Sequence, residues 1–113
     1  MARKQIADMA FEEVYDALRR KAERKGRTKA ETDEVICWLS GYEDLSSLKG
    51  KTYGEFISQA PAWNPHAEEI RGTVCGIRVE TIEDPFLKRV RQLDKLIDEL
   101  AKGKPMEKIF RGG

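Results

Sequence analysis

Apolar residues fall at Phe11, Val14, Tyr15, Leu18 and Ala22, in steps of three and four. That spacing predicts an amphipathic helix over about 9–25, with Asp8 as its cap and Gly26 as its terminator. Thr28 and Glu31 have the spacing of a capping box, which predicts a second helix over about 29–40 ended by Gly41. Its apolar block, Val35 to Leu39, reads as a helix buried on most sides, with Trp38 in the core. Thr52 and Glu55 repeat the capping-box spacing and predict a short helix near 53–60. Pro61 and the Trp63-Asn64-Pro65 turn break it, and Asn64 with Pro65 predicts another helical turn or two over 65–71.

Only residues 73–82 have strand character, with Val and Ile alternating against polar residues from 77 to 82. Asp84-Pro85 then opens the clearest helix, about 85–102. Phe86, Val90, Leu93, Ile97 and Leu100 form a heptad-like seam on it, and Leu87, Leu96 and Ala101 widen that seam into a core-facing stripe. Lys95–Glu99 and Asp98–Lys102 are expected ion pairs on the wet side of this helix. Pro105 starts a last short helix carrying Met106, Ile109 and Phe110. The expected fold is mainly α: a compact bundle of about five helices with one or two short strands near 73–82. Residues 1–113 form one domain with a loose start over 1–8. The seam allows a homodimer through 85–102 without requiring one.

Charge changes the picture chiefly by exclusion. The 113 residues hold 21 Lys plus Arg against 20 Asp plus Glu, a net charge of +1. No bulk basic excess marks the chain as a nucleic-acid or membrane-surface protein. Its longest apolar run, Val35 to Leu39, is far short of a membrane helix, which needs roughly 20 residues. The N-terminus lacks the apolar stretch of a secretory signal. Cys37 and Cys75 lie 38 positions apart and read as reduced thiols of a cytoplasmic protein.

Four stretches together resemble a known family. They are Lys25-Gly26-Arg27-Thr28 leading to Cys37-Trp38-Leu39-Ser40-Gly41-Tyr42, Ala60-Pro61-Ala62-Trp63-Asn64-Pro65, the run from Gly72 to Pro85, and the run from Leu93 to Lys104. Over about Asp8 to Arg111 the chain resembles the small bacterial proteins grouped as domain of unknown function 2200. Ser40 stands where that family is expected to carry Thr, which keeps the hydroxyl. The resemblance implies a compact bacterial cytosolic protein and assigns no activity, cofactor or catalytic residue.

Candidate chemistry gathers in Trp63–Asp84. Arg78 and Glu80 fall on one face of a strand and form an expected polar cluster, with Glu83 and Asp84 close in sequence. Trp63 and Asn64 offer an aromatic anchor, or a lid over the core, beside them. Cys75, among small residues, is a candidate thiol nucleophile with His66, the only histidine, or Arg78 as its activator, and with Asn64 or Glu69 as orienter. The plainer reading of Cys75 is a small buried hydrophobe, and that of Arg78 a structural ion pair. Glu80, Glu83 and Asp84 could hold a hard cation, but an acidic helix start explains them as well, and no zinc-like ligand spacing occurs, so no metal or other cofactor is expected. Arg19, Arg20, Arg24, Lys25 and Arg27 make a basic patch around Gly26. It reads as a solvated helix end, with nucleic-acid binding the lesser reading, because Glu31, Asp33 and Glu34 would repel phosphates. The function expected is a non-enzymatic binding or adaptor protein using the Trp63–Asp84 surface to engage a macromolecule or small ligand. The alternative is a small thiol-dependent enzyme.

Overall fold

The computed structural model describes residues 3–74 and 76–111. Six α-helices run in chain order: α1 (Arg3–Ala7), α2 (Phe11–Glu23), α3 (Lys29–Ser40), α4 (Tyr53–Ser58), α5 (Pro85–Ala101) and α6 (Met106–Ile109). Short 3-10 turns occupy Ser46–Leu48, Pro65–Glu69 and Val79–Thr81. Strands β1 (Thr73–Val74) and β2 (Ile77–Arg78) pair antiparallel, Thr73 opposite Arg78 and Val74 opposite Ile77. The fold is mainly α with one small hairpin, as the periodicity and caps predict.

Local chemistry explains most of the boundaries. Both capping boxes form: the Thr28 and Thr52 hydroxyls accept from the Glu31 and Glu55 amides, and each glutamate accepts in return from the threonine amide. Asp84 caps α5 by accepting from the amides of Phe86 and Leu87. Gly41 ends α3 at φ +85°, and a Cβ there would lie 2.6 Å from the Ala62 carbonyl oxygen. Only glycine lets the chain turn left-handed and pass that close.

Helix α5 is the spine of the core. Leu93, Leu96, Ile97 and Leu100 are almost fully buried among side chains from α2, α3 and α4. The seam read from the sequence is therefore covered by the chain's own helices. Phe56 of α4 anchors an aromatic cluster, with ring centroids 4.7 Å from Phe11, 5.4 Å from Tyr42 and 5.8 Å from Tyr53.

Five local expectations need correction. Within the start expected to be loose, residues 3–7 form α1, and Ile6 is buried in the core. Asp8 does not cap the following helix. Instead α2 begins at Phe11 behind Ala10, and a backbone bridge from Ala10 to Thr52 fixes the entry. The two short strands form within 73–82, but the alternation that runs from 77 to 82 does not carry β2 past Arg78, because the Val79 amide turns back to the Gly72 carbonyl and a 3-10 turn follows. Glu99 is buried rather than wet, and pairs with Arg111 at 2.7 Å and Lys104 at 3.4 Å instead of Lys95. Asp98 and Lys102 do pair, at 3.1 Å. Trp38, expected in the core, is half-buried and stacks on Phe110 at 5.4 Å.

Candidate functional site

Helix α3 places Ala30, Asp33, Glu34, Cys37 and Trp38 along one face, by its steps of three and four. Opposite runs the loop Glu43-Asp44-Leu45, and Phe110 closes the end against the Trp38 ring. A cavity of about 660 Å³ lies between these walls. A second, of about 420 Å³, shares Asp33, Asp44 and Leu45 with it and runs on past Tyr15, Lys29 and Lys49. The loop is fixed from both sides. The Tyr42 hydroxyl donates to the Phe56 carbonyl at 2.9 Å, and Asp44 accepts from the Ser46 amide at 2.8 Å and from the Ser46 hydroxyl.

The electrostatics of this groove are uneven. Asp33 accepts from the Tyr15 hydroxyl at 2.5 Å and from Lys29 at 2.8 Å, so its charge is partly answered. Burial, then the bond to Asp33, raises the Tyr15 phenol above its usual range. The Ser46 bonds hold Asp44 below the ordinary aspartate range, so it is ionised. Among the described residues, no hydrogen bond or ion pair engages the side chains of Glu34 and Glu43, both exposed. Burial, followed by the Asp33 and Asp44 charges, pushes the Cys37 thiol up. A thiol so placed stays protonated near neutrality and is a poor nucleophile. What the groove supplies is a negative field over a flat apolar floor.

The residues singled out from the sequence lie elsewhere. Trp63 is half-buried: its indole N–H donates to the Gln92 side chain at 2.9 Å, and the Arg89 guanidinium lies 4.9 Å from its ring centre. Trp63 packs against the core. Asn64 donates to the Trp38 carbonyl and accepts from the His66 amide, tying the chain after α4 to the end of α3. His66 Nδ1 lies 2.5 Å from Glu69, one of the two orienters the sequence offered beside Asn64. Cys75 is outside the described residues, and with it the Cys75–His66 pairing.

Arg78 and Glu80 do meet, at 3.2 Å, but across a 3-10 turn rather than along a strand. Glu80 also accepts from the Gly72 amide at 3.0 Å. That bond, with Arg78 adding to it, holds its carboxyl down at about 2. Glu83 is exposed and Asp84 is the α5 cap. Among the described residues, no group of three or more His, Cys, Asp or Glu side chains is placed to hold a metal ion.

Within the basic patch, Arg19 pairs with Asp16 and Glu23, and Arg27 with Glu31. Arg20, Arg24 and Lys25 stand exposed at the end of α2. Exposed cations thus gather at the end of α2, and the unanswered carboxylates Glu34 and Glu43 at the α3 groove.

A mainly helical domain of about a hundred residues, with this hairpin and groove, defines a class by shape before any name. Residues 5–111 match the family described as an uncharacterized protein conserved in bacteria, DUF2200, and the chain belongs to it. The crystal structure of the uncharacterized protein SP1917 is similar at a TM-score of 0.90 and 42% identity, covering 96% of this chain and 92% of that one. Thymidylate synthases of Aliivibrio fischeri and Photobacterium profundum are similar at 33% identity over 87 residues and 28% over 104 residues. These stretches take in 71% and 86% of this chain but 31% and 37% of those enzymes. The chain thus spans about a third of the length of the curated relatives it matches. No helix among the described residues is long and apolar enough to cross a membrane.

Proposed function

We propose that this chain is a non-enzymatic binding protein whose main binding face is the acidic, aromatic-floored groove between α3 and the 43–45 loop. Its partner is a basic peptide segment of another protein. One observation carries the reading: Glu34 and Glu43 line the same cavity as the stacked Trp38 and Phe110 rings, with no cation of this chain answering either carboxylate among the described residues. A flat guanidinium fits such a surface doubly, by charge to the carboxylates and by stacking on the indole. The cavity also has the size usual for ligand sites, roughly 300–1,000 Å³.

The Trp63–Asp84 surface is the second reading. The observation favouring it is the hairpin tip, where Ile77 is 41% exposed beside an exposed Arg78. Most other polar groups along that segment already serve the chain's own fold. The thiol-enzyme alternative gains nothing from Cys37, whose environment suppresses the thiolate.

Amide chemical-shift mapping with tetra-arginine amide and with tetra-glutamate at low salt tests the groove. Tetra-arginine is expected to shift Glu34, Trp38, Glu43 and Phe110, and tetra-glutamate is not. Shifts centred on Ile77 and Arg78, or none with tetra-arginine, overturn the groove as the binding face.

A further inference from the structure

The second cavity meets the first at Asp33, Asp44 and Leu45, and adds Glu12, Lys29 and Lys49 to the lining on the far side. The two together make a trough whose charge changes along its length. In the shared wall both carboxylates already have partners, Asp33 in Tyr15 and Lys29, and Asp44 in the Ser46 amide. The apolar surface left there is the half-buried Leu45 side chain, with the Tyr15 ring beyond it. On the far side Lys29 is engaged by Asp33, at 2.8 Å. Glu12 lies in the first turn of α2, whose start has no side-chain cap, so the free backbone amides of the helix end complement its carboxylate. Lys49 has no such answer. It is exposed, and among the described residues no hydrogen bond or ion pair engages its side chain. The unanswered charges of the trough are therefore Glu34 and Glu43 on one side of the shared wall and Lys49 on the other.

We propose that the segment bound in the α3 groove is bipolar: a basic residue against Glu34, Glu43 and the Trp38 ring, an apolar residue on Leu45, and an acidic residue reaching Lys49. The inference rests on the groove being the binding face and adds the chemistry of the rest of the segment. A uniformly basic segment would carry a cation onto Lys49, where like charges repel, and a carboxylate at that point turns the repulsion into an attraction. Over the shared wall an apolar side chain covers Leu45 and Tyr15 without competing for carboxylates that are already bonded.

The test uses the full chain and two capped hexapeptides, Arg-Arg-Leu-Leu-Glu-Glu and its reverse, because either chain direction presents the three side-chain types in the same spatial order. Each is titrated at low salt beside a counterpart with Gln for both Glu. The tighter of the two orders should bind about threefold more strongly than its glutamine counterpart, the usual yield of one exposed ion pair. Amide shifts at Leu45 and Lys49 should accompany it, and Ser in place of both Leu should weaken it. Lys49→Glu should abolish or reverse the preference for glutamate, keep or raise the affinity for tetra-arginine amide, and leave the melting temperature near the parent's. Equal binding of the Glu and Gln peptides in both orders, a preference that survives Lys49→Glu, or an affinity unchanged by Ser in place of Leu overturns the bipolar segment while tetra-arginine binding still upholds the groove. Failure of tetra-arginine and all the hexapeptides alike overturns the groove, and the bipolar segment with it.

Discussion

The segment from Trp63 to Asp84 and the groove along α3 have similar inventories: an aromatic ring, several carboxylates and a cysteine in the sequence. They differ in where the polar atoms point. In the first, Trp63 donates to Gln92, Asn64 ties to the Trp38 carbonyl, Glu80 accepts from Gly72 and Arg78, and Asp84 caps α5. In the second, the half-buried Trp38 and Phe110 rings stack beside a cavity, and Glu34 and Glu43 face solvent across it. Polar residues that a fold consumes and polar residues that it leaves over look alike in a sequence. Only the spatial accounting of donors and acceptors separates them.

Substitutions should therefore damage folding in the first region and recognition in the second. The largest effect is expected at the hinge between them. Gly41→Ala forces a side chain into a left-handed backbone and against the Ala62 carbonyl, which should cost at least about 3 kcal/mol in chemical denaturation. Trp63→Ala should follow at about 3 kcal/mol, since it removes a ring packed against the core and leaves the buried Gln92 side chain short of a donor. A loss below about 0.5 kcal/mol there would make Trp63 a surface anchor after all. Asp84→Ala removes a helix cap and should cost about 1 kcal/mol.

Acid sharpens the comparison further. The Glu80 carboxyl is held at about 2 against an ordinary value of 4.5. Its contribution is therefore fully present above about pH 4.5 and is lost as pH falls toward 2. Glu80→Gln should flatten the dependence of stability on pH in that window, and an unchanged slope would show that the Gly72 bond carries no weight. The smallest effect on stability is expected from Glu34→Lys with Glu43→Lys, within about 0.5 kcal/mol of the parent, because neither side chain supports the fold.

Much of the fold was legible because its signals are local. Capping boxes at Thr28 and Thr52, the Asp84-Pro85 start and the Gly41 stop each act within four residues, and each forms as the sequence predicts. Features that depend on distant partners were not legible. A lone Ile6 gives no periodicity, yet α1 folds because the core accepts it. Glu99 looked solvated because its partner, Arg111, lies twelve residues on. Val79–Thr81 looked like a strand because alternation cannot reveal that the Val79 amide turns back to Gly72.

The groove had one local trace. Glu31, Asp33 and Glu34 stood out in the sequence as a reason against phosphate binding, whereas Trp38, which shares a face with Asp33, Glu34 and Cys37, was expected in the core. That the 43–45 loop and Phe110 complete the walls is tertiary, and no spacing within α3 announces it.

Isothermal titration of tetra-arginine amide and tetra-glutamate into the parent and into the Glu34→Lys, Glu43→Lys double variant tests the central claim most directly. The parent should bind tetra-arginine, with affinity falling as salt rises, and the double variant should lose that binding and turn its preference to tetra-glutamate. Equal binding of tetra-arginine by both proteins would contradict a groove whose two unanswered carboxylates choose the partner.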